Sequence, residues 1–257
     1  MQKCLKGQRK AGGPFTDCFA PYGGATASCI QDTKKGAEAK ARSRIAKACK
    51  KACPACYDAA GNCPEGATFV AGLEENVDGT TPLVYCLEES GMTPTKEQTK
   101  CEDGVANSLV TFTKSKGKCL DTCVEKEFKG KIPSGSCTAG SPSDADTQQC
   151  IQEAEDKAAG SIDKVCEKPD AKPSCYAPPR DSGAGWVATV ENLVDAQAPF
   201  IYCSAPSTTT STSTSTTTPT TTSTSVTVTT TSTSTTTTTI YGSPSRAFLI
   251  RAQDLLE

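Results

Sequence analysis

Histidine is absent from all 257 residues of the chain. Its absence excludes histidine as a general base, as a metal ligand and as part of a C-x-x-C-H haem attachment motif. Aromatic residues are also scarce, at 5% of the chain, and hydrophobic residues make up only 36%. Because a chain of this length normally buries more apolar surface, its core is expected to be thin.

Long apolar runs and a large excess of charge of one sign are missing as well. No segment approaches the roughly 20 apolar residues of a transmembrane helix. The formal net charge of −2 argues against a general nucleic-acid or membrane-surface binder. The first ten residues, MQKCLKGQRK, are basic and lack the apolar segment of a signal peptide.

Cysteine is abundant, with sixteen residues. An even set of this size predicts a disulfide framework, which persists only in an oxidising compartment. We therefore expect an exported protein, extracellular or at the cell surface, with no cofactor, no metal site and no catalytic residue. The cysteines expected in disulfides are Cys4, Cys18, Cys29, Cys49, Cys53, Cys56, Cys63, Cys86, Cys101, Cys119, Cys123, Cys137, Cys150, Cys166, Cys175 and Cys203.

Two stretches of the chain match each other, residues 66–86 and 183–203, with 10 identities over 21 ungapped positions. Such self-similarity predicts that a first segment, residues 1–90, and a second segment, residues 91–205, are tandem copies of one repeat. The cysteines extend the match. In the alignment of the two segments, Cys4 corresponds to Cys123, Cys18 to Cys137, Cys29 to Cys150, Cys49 to Cys166, Cys56 to Cys175 and Cys86 to Cys203.

Each segment adds two cysteines of its own, Cys53 and Cys63 in the first and Cys101 and Cys119 in the second. Each therefore holds eight, and an even set can close within its own segment. Cys53 and Cys63 are expected to pair, because both are missing from the second segment. The counterpart of Cys119 falls just before Met1, which predicts that the first copy begins inside its own first helix.

Three helices are predicted in the second segment, over residues 98–129, 145–166 and 183–196, from apolar residues at helical spacing. The first segment is expected to have equivalents of the last two over about 26–51 and 66–78. Cys101 and Cys119 lie on one stripe of the first of these helices, about 27 Å apart if it is unbroken, and so cannot pair with each other. The fold class is therefore all-α, as two tandem disulfide-stapled helical repeats.

Residues 206–239 are almost entirely Ser and Thr and cannot bury a core. They predict an extended stalk, O-glycosylated or else an unmodified linker. Residues 225–240 are also compatible with a strand that pairs with a partner, and residues 240–257 with a docking tail that contains a short helix. The expected glycosylation positions are Thr208, Thr209, Thr210, Thr220, Thr221, Thr222, Thr229, Thr230 and Thr231.

Motifs that could carry chemistry are few, and each has a structural interpretation that we favour. Cys53-Pro-Ala-Cys56 has C-x-x-C spacing but no βαβ context, so structural disulfides are expected rather than redox or metal chemistry. Two carboxylates recur four residues apart on the third helix of each segment. This spacing is compatible with a calcium site or with acid–base catalysis, but it is more often found on a solvent-exposed helix face. They are Glu74 and Asp78, and Glu191 and Asp195.

Charge differs between the two segments. Residues 1–60 contain twelve Lys or Arg and four Asp or Glu, whereas the helix predicted over 145–166 is acidic. Equivalent surfaces of opposite sign are expected to join the copies or to join molecules head to tail, with ordinary solvated helix faces as the alternative. A basic first copy also suits binding to acidic polysaccharide.

The runs KCLDTCVEKEFKGKIPSGSC and QQCIQEAEDKAAGSIDKVC, with a later Cys-Tyr, resemble cysteine-rich helical repeats of large, uncharacterised secreted or surface proteins of environmental bacteria. The resemblance covers residues 1–205 and implies export and repetition, without a known activity. Together these features predict a non-enzymatic extracellular structural protein, a self-assembling fibre or surface-layer subunit joined through its tail. The alternative is an adhesive or polysaccharide-binding module on an O-glycosylated stalk at the cell surface.

Overall fold

A computed structural model describes residues 4, 7, 18–50, 53, 57–58, 63, 66–86, 94–138 and 140–202. Within these residues the fold is all-α, as predicted, with six helices and no strand. The glycosylation positions, the Ser/Thr-rich stalk and the docking tail lie outside them. The helices are α1 (Gly24–Gln31), α2 (Ala37–Cys49), α3 (Ala67–Val84), α4 (Lys96–Phe128), α5 (Ala145–Cys166) and α6 (Gly183–Tyr202).

The helices α4 and α5 follow the sequence prediction closely, because their starts are encoded locally. Thr95 forms a capping box with Gln98: its hydroxyl accepts from the Gln98 amide at 3.1 Å and its own amide donates to the Gln98 side chain at 2.8 Å. Asp144 caps α5 by accepting from the Thr147 amide at 3.1 Å. With 33 residues, α4 spans about 50 Å and is the longest helix in the described part of the chain.

The first segment departs from the prediction of one helix over residues 26–51. The structure has two shorter helices there, α1 and α2, separated by residues 32–36. The Asp32 carboxylate accepts hydrogen bonds from the amides of Lys34 and Lys35, at 2.9 and 2.6 Å. A side chain that satisfies its own neighbouring amides favours a turn over a continued helix, which explains the break.

The third helices run beyond their predicted ends at residues 78 and 196, and each continues through a proline, Pro82 in α3 and Pro199 in α6. A proline inside a helix removes a backbone donor and normally ends or kinks it. Tertiary packing offsets this loss, because Val84 and Ala198 are both buried near the helix ends.

Disulfides bind the long helix α4 to α5 along its length. Cys101 pairs with Cys166, and Cys119 pairs with Cys150, so the two helices run antiparallel. The expectation that Cys101 and Cys119 lie on one unbroken helix and do not pair is confirmed. The remaining disulfides among the described residues are Cys4–Cys18, Cys53–Cys63, Cys86–Cys175 and Cys123–Cys137.

The disulfides differ from expectation in two respects. Cys86 bonds to Cys175, which joins the first segment to the second, so the idea that each segment closes its own set of eight is wrong. Cys29 and Cys49 carry no disulfide within the described part of the chain, although all sixteen cysteines were expected to be paired. Their aligned residues in the second segment, Cys150 and Cys166, bond to Cys119 and Cys101 of α4.

The main core is shared by both segments. Val84 and Tyr85 at the end of α3 pack in one cluster with Phe112 of α4 and Trp186 of α6. A smaller cluster belongs to the first segment alone and contains Ile45, Cys49, Tyr57 and Val70. Among the described residues, no helix has the length and hydrophobicity to span a bilayer.

Candidate functional site

Matching aromatic pairs hold the start of the third helix in both segments. Tyr57 meets Phe69 edge to face, with ring centroids 4.9 Å apart and planes at 66°. Tyr176 meets Trp186 in the same way, at 4.9 Å and 68°. The sequence alignment places Tyr57 opposite Tyr176 and Phe69 opposite Trp186, so equivalent residues make equivalent contacts.

The same two tyrosines bond across the boundary between the segments. The Tyr57 hydroxyl donates to the backbone carbonyl of Ile201 at 2.5 Å, and the Tyr176 hydroxyl donates to that of Val84 at 2.7 Å. Val84 and Ile201 are aligned residues near the ends of α3 and α6. Each segment therefore bonds to the third helix of the other through aligned residues.

Both tyrosines of this reciprocal contact are well suited to act as donors. Burial, followed by the nearby Cys49, raises the pKa of Tyr57 well above its usual value, so its hydroxyl stays protonated. Tyr176 is likewise buried. The Cys86–Cys175 disulfide lies at the same boundary and joins residues 89 apart in the sequence.

An apolar cleft of about 270 Å³ lies between α3, α4 and α6. Aligned residues of α3 and α6 line it in pairs, so the two segments contribute equivalent walls. At this cleft Val77 is 49% exposed and Val110 is 47% exposed. The lining pairs are Leu73 with Val190, Asn76 with Leu193, Val77 with Val194, Thr80 with Gln197, Thr81 with Ala198, Val84 with Ile201 and Tyr85 with Tyr202.

Hydroxyl groups along the cleft are mostly engaged with their own helices. Thr80 donates to the Asn76 carbonyl at 2.7 Å, and Thr113 donates to the Leu109 carbonyl at 3.0 Å. The Tyr202 hydroxyl donates to the Asp121 carboxylate at 2.6 Å. The walls of the cleft are therefore mainly apolar and have few free hydrogen-bonding groups for a polar small molecule.

A buried lysine forms the centre of a charged cluster in the second segment. The side chain of Lys116 is 2% exposed, and its Nζ lies 2.6 Å from both a Glu191 oxygen and an Asp195 oxygen. Lys116 occupies the apolar stripe of α4 between Phe112 and Leu120, where a charge is tolerated only if it is paired. Glu191 and Asp195 therefore act as its counter-ions, which differs from the solvated helix face that the sequence favoured.

Glu155 adds a third carboxyl group to this cluster. Burial, followed by its hydrogen bond with Glu191, raises the pKa of Glu155 to about 7. Burial also acts on Glu191, but the hydrogen bonds from Lys116 and Glu155 outweigh it and hold the pKa of Glu191 below its usual value. Glu155 therefore changes between its protonated and ionised forms near neutral pH, and its protonated carboxyl donates to Glu191.

The first segment gathers the aligned acids near Arg42 of α2. Burial raises the pKa of Glu74, the nearby carboxylates of Glu38 and Asp78 raise it further, and Arg42 partly offsets these effects. The Tyr22 hydroxyl donates to Asp78. Glu38 retains one buried carboxylate oxygen, Oε1, without a hydrogen-bond partner in the described part of the chain.

The C-x-x-C motif does not provide a pair of free thiols. Cys53 is bonded to Cys63, and Cys56 lies outside the described residues. Cys53, Asp58 and Cys63 bring their ligand atoms within 4.8 Å of one another, a spacing that suits a metal ion. Because the two sulfurs are bonded to each other, they are not available as thiolate ligands in the oxidised protein.

Sequence reasoning missed Lys116, Glu155 and the bonding role of the two tyrosines. A lysine at a stripe position of an otherwise apolar helix face is the signal that could have identified Lys116. Glu155 aligns with Glu38, just as Glu191 aligns with Glu74 and Asp195 with Asp78. The same set of three acids therefore occurs in both segments.

Comparison with protein-family models, with curated proteins and with solved structures returned no match for this chain.

Proposed function

We propose that the protein is a non-enzymatic structural subunit of the extracellular space or cell surface. In this proposal the two segments are copies of one helical repeat that form a closed, disulfide-locked pair. The observation that carries it is the reciprocal contact, Tyr57 to Ile201 and Tyr176 to Val84, together with the Cys86–Cys175 disulfide. Six disulfides among the described residues support an oxidising environment.

An isologous contact uses the same surface on both copies and is complete once two copies meet. The paired repeats therefore act as one rigid building block, and assembly into a fibre or surface layer requires other surfaces. The exposed cations on and beside α2 and the exposed acids of α5 supply surfaces of opposite sign, which favours head-to-tail contact between molecules. The cations are Lys34, Lys35, Lys40, Arg44 and Lys47, and the acids are Glu153, Asp156 and Asp163.

Peptide mapping of the oxidised full-length protein tests the closed pair. The alignment places Cys56 opposite Cys175 and Cys203 opposite Cys86. A two-fold arrangement therefore predicts that the map contains a Cys56–Cys203 bond as the counterpart of Cys86–Cys175. Bonds from Cys86 to other cysteines, or between separate molecules at this position, would contradict the closed pair.

Light scattering and negative-stain imaging of the full-length protein at low and high salt test the assembly. We expect larger species at low salt, and we expect Lys40→Glu with Arg44→Glu to weaken them about tenfold. The control Lys164→Glu adds a negative charge to the exposed face of α5 and is expected not to weaken them. A strict monomer under every condition would remove the assembly from the proposal.

A second candidate function, a module that binds acidic polysaccharide on a glycosylated stalk, is favoured by the same exposed cations beside α2. Glycan-array binding followed by a salt titration separates it from assembly. Binding to sulfated or uronic-acid glycans that is lost in the Lys40→Glu, Arg44→Glu variant would support this candidate. Absence of any glycan signal at low salt would count against it.

A further inference from the structure

We propose that Lys116 and Glu191 join in an amide bond, which forms between the Lys116 Nζ and the Glu191 Cδ with loss of one water. The bond is a covalent modification of the buried charged cluster and crosslinks α4 to α6. The ion pair described above is its reactant. Its formation is independent of the repeat relation between the segments and of assembly between molecules.

The Lys116 amine is held against the carboxyl group with which it reacts. Its Nζ lies 2.6 Å from the Glu191 Oε1 and donates a hydrogen bond to it. Because a carboxyl C–O bond is about 1.2 Å long, the Glu191 Cδ lies within about 4 Å of Nζ. Groups held close to the reacting distance of about 3–3.5 Å react far faster than the same groups free in solution. The fold therefore supplies the positioning that the reaction needs.

The apolar surroundings of Lys116 favour neutral groups over charged ones. Its side chain is 2% exposed, and on α4 it lies between Phe112 and Leu120, which are both buried. An ammonium ion and a carboxylate lose most of their hydration in such a site, so a proton transfer that neutralises both costs less there than in water. The amide product is also uncharged, and its formation removes a buried ion pair from the protein.

Asp195 is placed to take the proton that the amine must lose before it can react. Its Oδ1 lies 2.6 Å from the Lys116 Nζ. This oxygen is buried, and no other hydrogen-bond donor among the described residues reaches it. A buried carboxylate in direct contact with the ammonium group is within the distance that proton transfer requires. Asp195 therefore acts as the base.

Glu155 activates the carboxyl group of Glu191. Burial, followed by the hydrogen bond with Glu191, raises the pKa of Glu155 to about 7, so its protonated form is present at neutral pH. In that form its hydroxyl donates to a Glu191 oxygen. A carboxylate resists attack because of its negative charge, and a proton donated to its oxygen offsets that charge. Glu155 therefore acts as the general acid.

The atoms of the step balance without an oxidant or another reagent. Asp195 takes one proton from the ammonium group, and the Nζ lone pair of Lys116 then attacks the Glu191 Cδ. Glu155 gives its proton to the Glu191 oxygen that leaves, and Asp195 gives up the second proton of the water. Another Nζ proton restores Glu155, so the amide keeps one Nζ proton and both acids return to their starting states. A cavity of about 260 Å³ borders Lys116, Glu155 and Glu191 and can receive the water.

The aligned acids of the first segment provide an internal contrast. Glu74 there has Glu38, Asp78 and Arg42 around it. A guanidinium group keeps its proton in proteins and offers no free lone pair for attack on a carboxyl carbon. We therefore expect one amide crosslink per chain, in the second segment.

Mass spectrometry of the full-length protein tests the bond. After reduction of all disulfides and removal of any glycans, the chain should be lighter than its sequence requires by the mass of one water. Protease digestion should yield a branched peptide that joins Lys116 to Glu191, which are 75 residues apart in the sequence. The reduced chain should also migrate faster in denaturing electrophoresis than the Lys116→Arg variant, because the crosslink keeps a large loop closed.

Two variants and a matched control follow the chemistry. Lys116→Arg keeps the positive charge and is expected to show the full sequence mass, because its guanidinium is not a nucleophile. Glu155→Gln removes the general acid and should slow bond formation about 100-fold, as followed by mass in freshly synthesised protein. The control Lys118→Arg changes an exposed lysine on the same helix and is expected to keep the crosslink.

Recovery of Lys116 and Glu191 in separate, unmodified peptides at the full sequence mass would show an ion pair only and would overturn the proposal. A branch from Lys116 to Asp195, a water loss that persists in Lys116→Arg, or an unchanged rate in Glu155→Gln would also overturn it. Circular dichroism reports whether each variant folds. If a variant does not fold, the mass and the peptide map of the unaltered protein still decide between an amide and an ion pair.

Discussion

The two segments use the same set of residues in different surroundings. In the second segment the long helix α4 covers α5, both disulfides between them are closed, and Lys116 neutralises the buried carboxylates. In the first segment the aligned cysteines are free thiols, and the aligned acids lie near one another and near Arg42. The comparison teaches that aligned residues take different partners, because α4 lies against the second segment and supplies the groups that bond to it.

Removing a disulfide between α4 and α5 is expected to have the largest effect. Replacing Cys101 and Cys166 together by Ala should lower the free energy of unfolding by about 4 kcal/mol, since the bond closes a long loop. Replacing Cys49, the residue aligned with Cys166, by Ala should cost less than about 1 kcal/mol, because it removes no bond. Urea unfolding of both variants measures the difference, and equal losses would contradict it.

Replacing Lys116 by Met should cost about 3 kcal/mol, because it leaves Glu191 and Asp195 without their counter-ion. Adding Glu191→Gln to Lys116→Met should recover part of that loss by removing one of the stranded charges. In the first segment, Glu74→Gln alone is expected to cost much less than Lys116→Met, because Glu38 and Asp78 oppose the charge of Glu74 while Arg42 favours it. Thermal unfolding at pH 7 compares the variants, and failure of Glu191→Gln to rescue would argue against the cluster.

The reciprocal tyrosines should contribute equally if the two segments are related by a two-fold axis. Tyr57→Phe and Tyr176→Phe each remove one hydrogen bond across the boundary, and each should cost about 1 kcal/mol. Urea unfolding of the single and double variants tests the symmetry. A loss confined to one of the two tyrosines would show that the contact is not reciprocal in solution.

The smallest predicted effect is a pH dependence in the second segment. Because the pKa of Glu155 is raised to about 7 in the folded protein, its contribution to stability is present below its usual pKa and is lost as pH rises through 7. Glu191, Lys116 and Asp156 are the charged groups that act on it. Glu155→Gln should therefore flatten the decline in melting temperature between pH 5 and 8 by about 2 °C.

Thiol labelling provides a control on the same comparison. In the native full-length chain, a maleimide should label Cys29, which is exposed, and should reach Cys49 only after unfolding, because Cys49 is buried. Counting labels by intact mass before and after denaturation checks this order. Rapid labelling of Cys49 in the native chain would show that the cluster around Ile45 and Tyr57 is open.

Much of the helical structure could be predicted from the sequence, because helix starts and apolar stripes are local features. The caps at Thr95 and Asp144 lie within three residues of their partners, and the stripe of α4 repeats every three to four residues. The break at residues 32–36 was missed although it too is local, since the helical pattern around it masked the turn at Asp32.

The candidate site could be predicted only in part. The recurrence of Glu74 and Asp78 as Glu191 and Asp195 was visible in the sequence, but their partner Lys116 lies 75 residues from Glu191 and on another helix. The same distance problem applies to Tyr57 and Ile201, which are 144 residues apart. Contacts of this kind leave no periodic signal in a single sequence.

The sequence by itself determined the all-α class, the helix stripes, the alignment of the two segments and the separation of Cys101 from Cys119. Only the tertiary structure decided that Cys86 crosses to Cys175, that Cys29 and Cys49 are free, and that buried acids surround Lys116. The physical reason is that a disulfide or an ion pair needs two groups within a few ångströms of each other. Local patterning forms the helices, whereas their packing decides which distant groups meet.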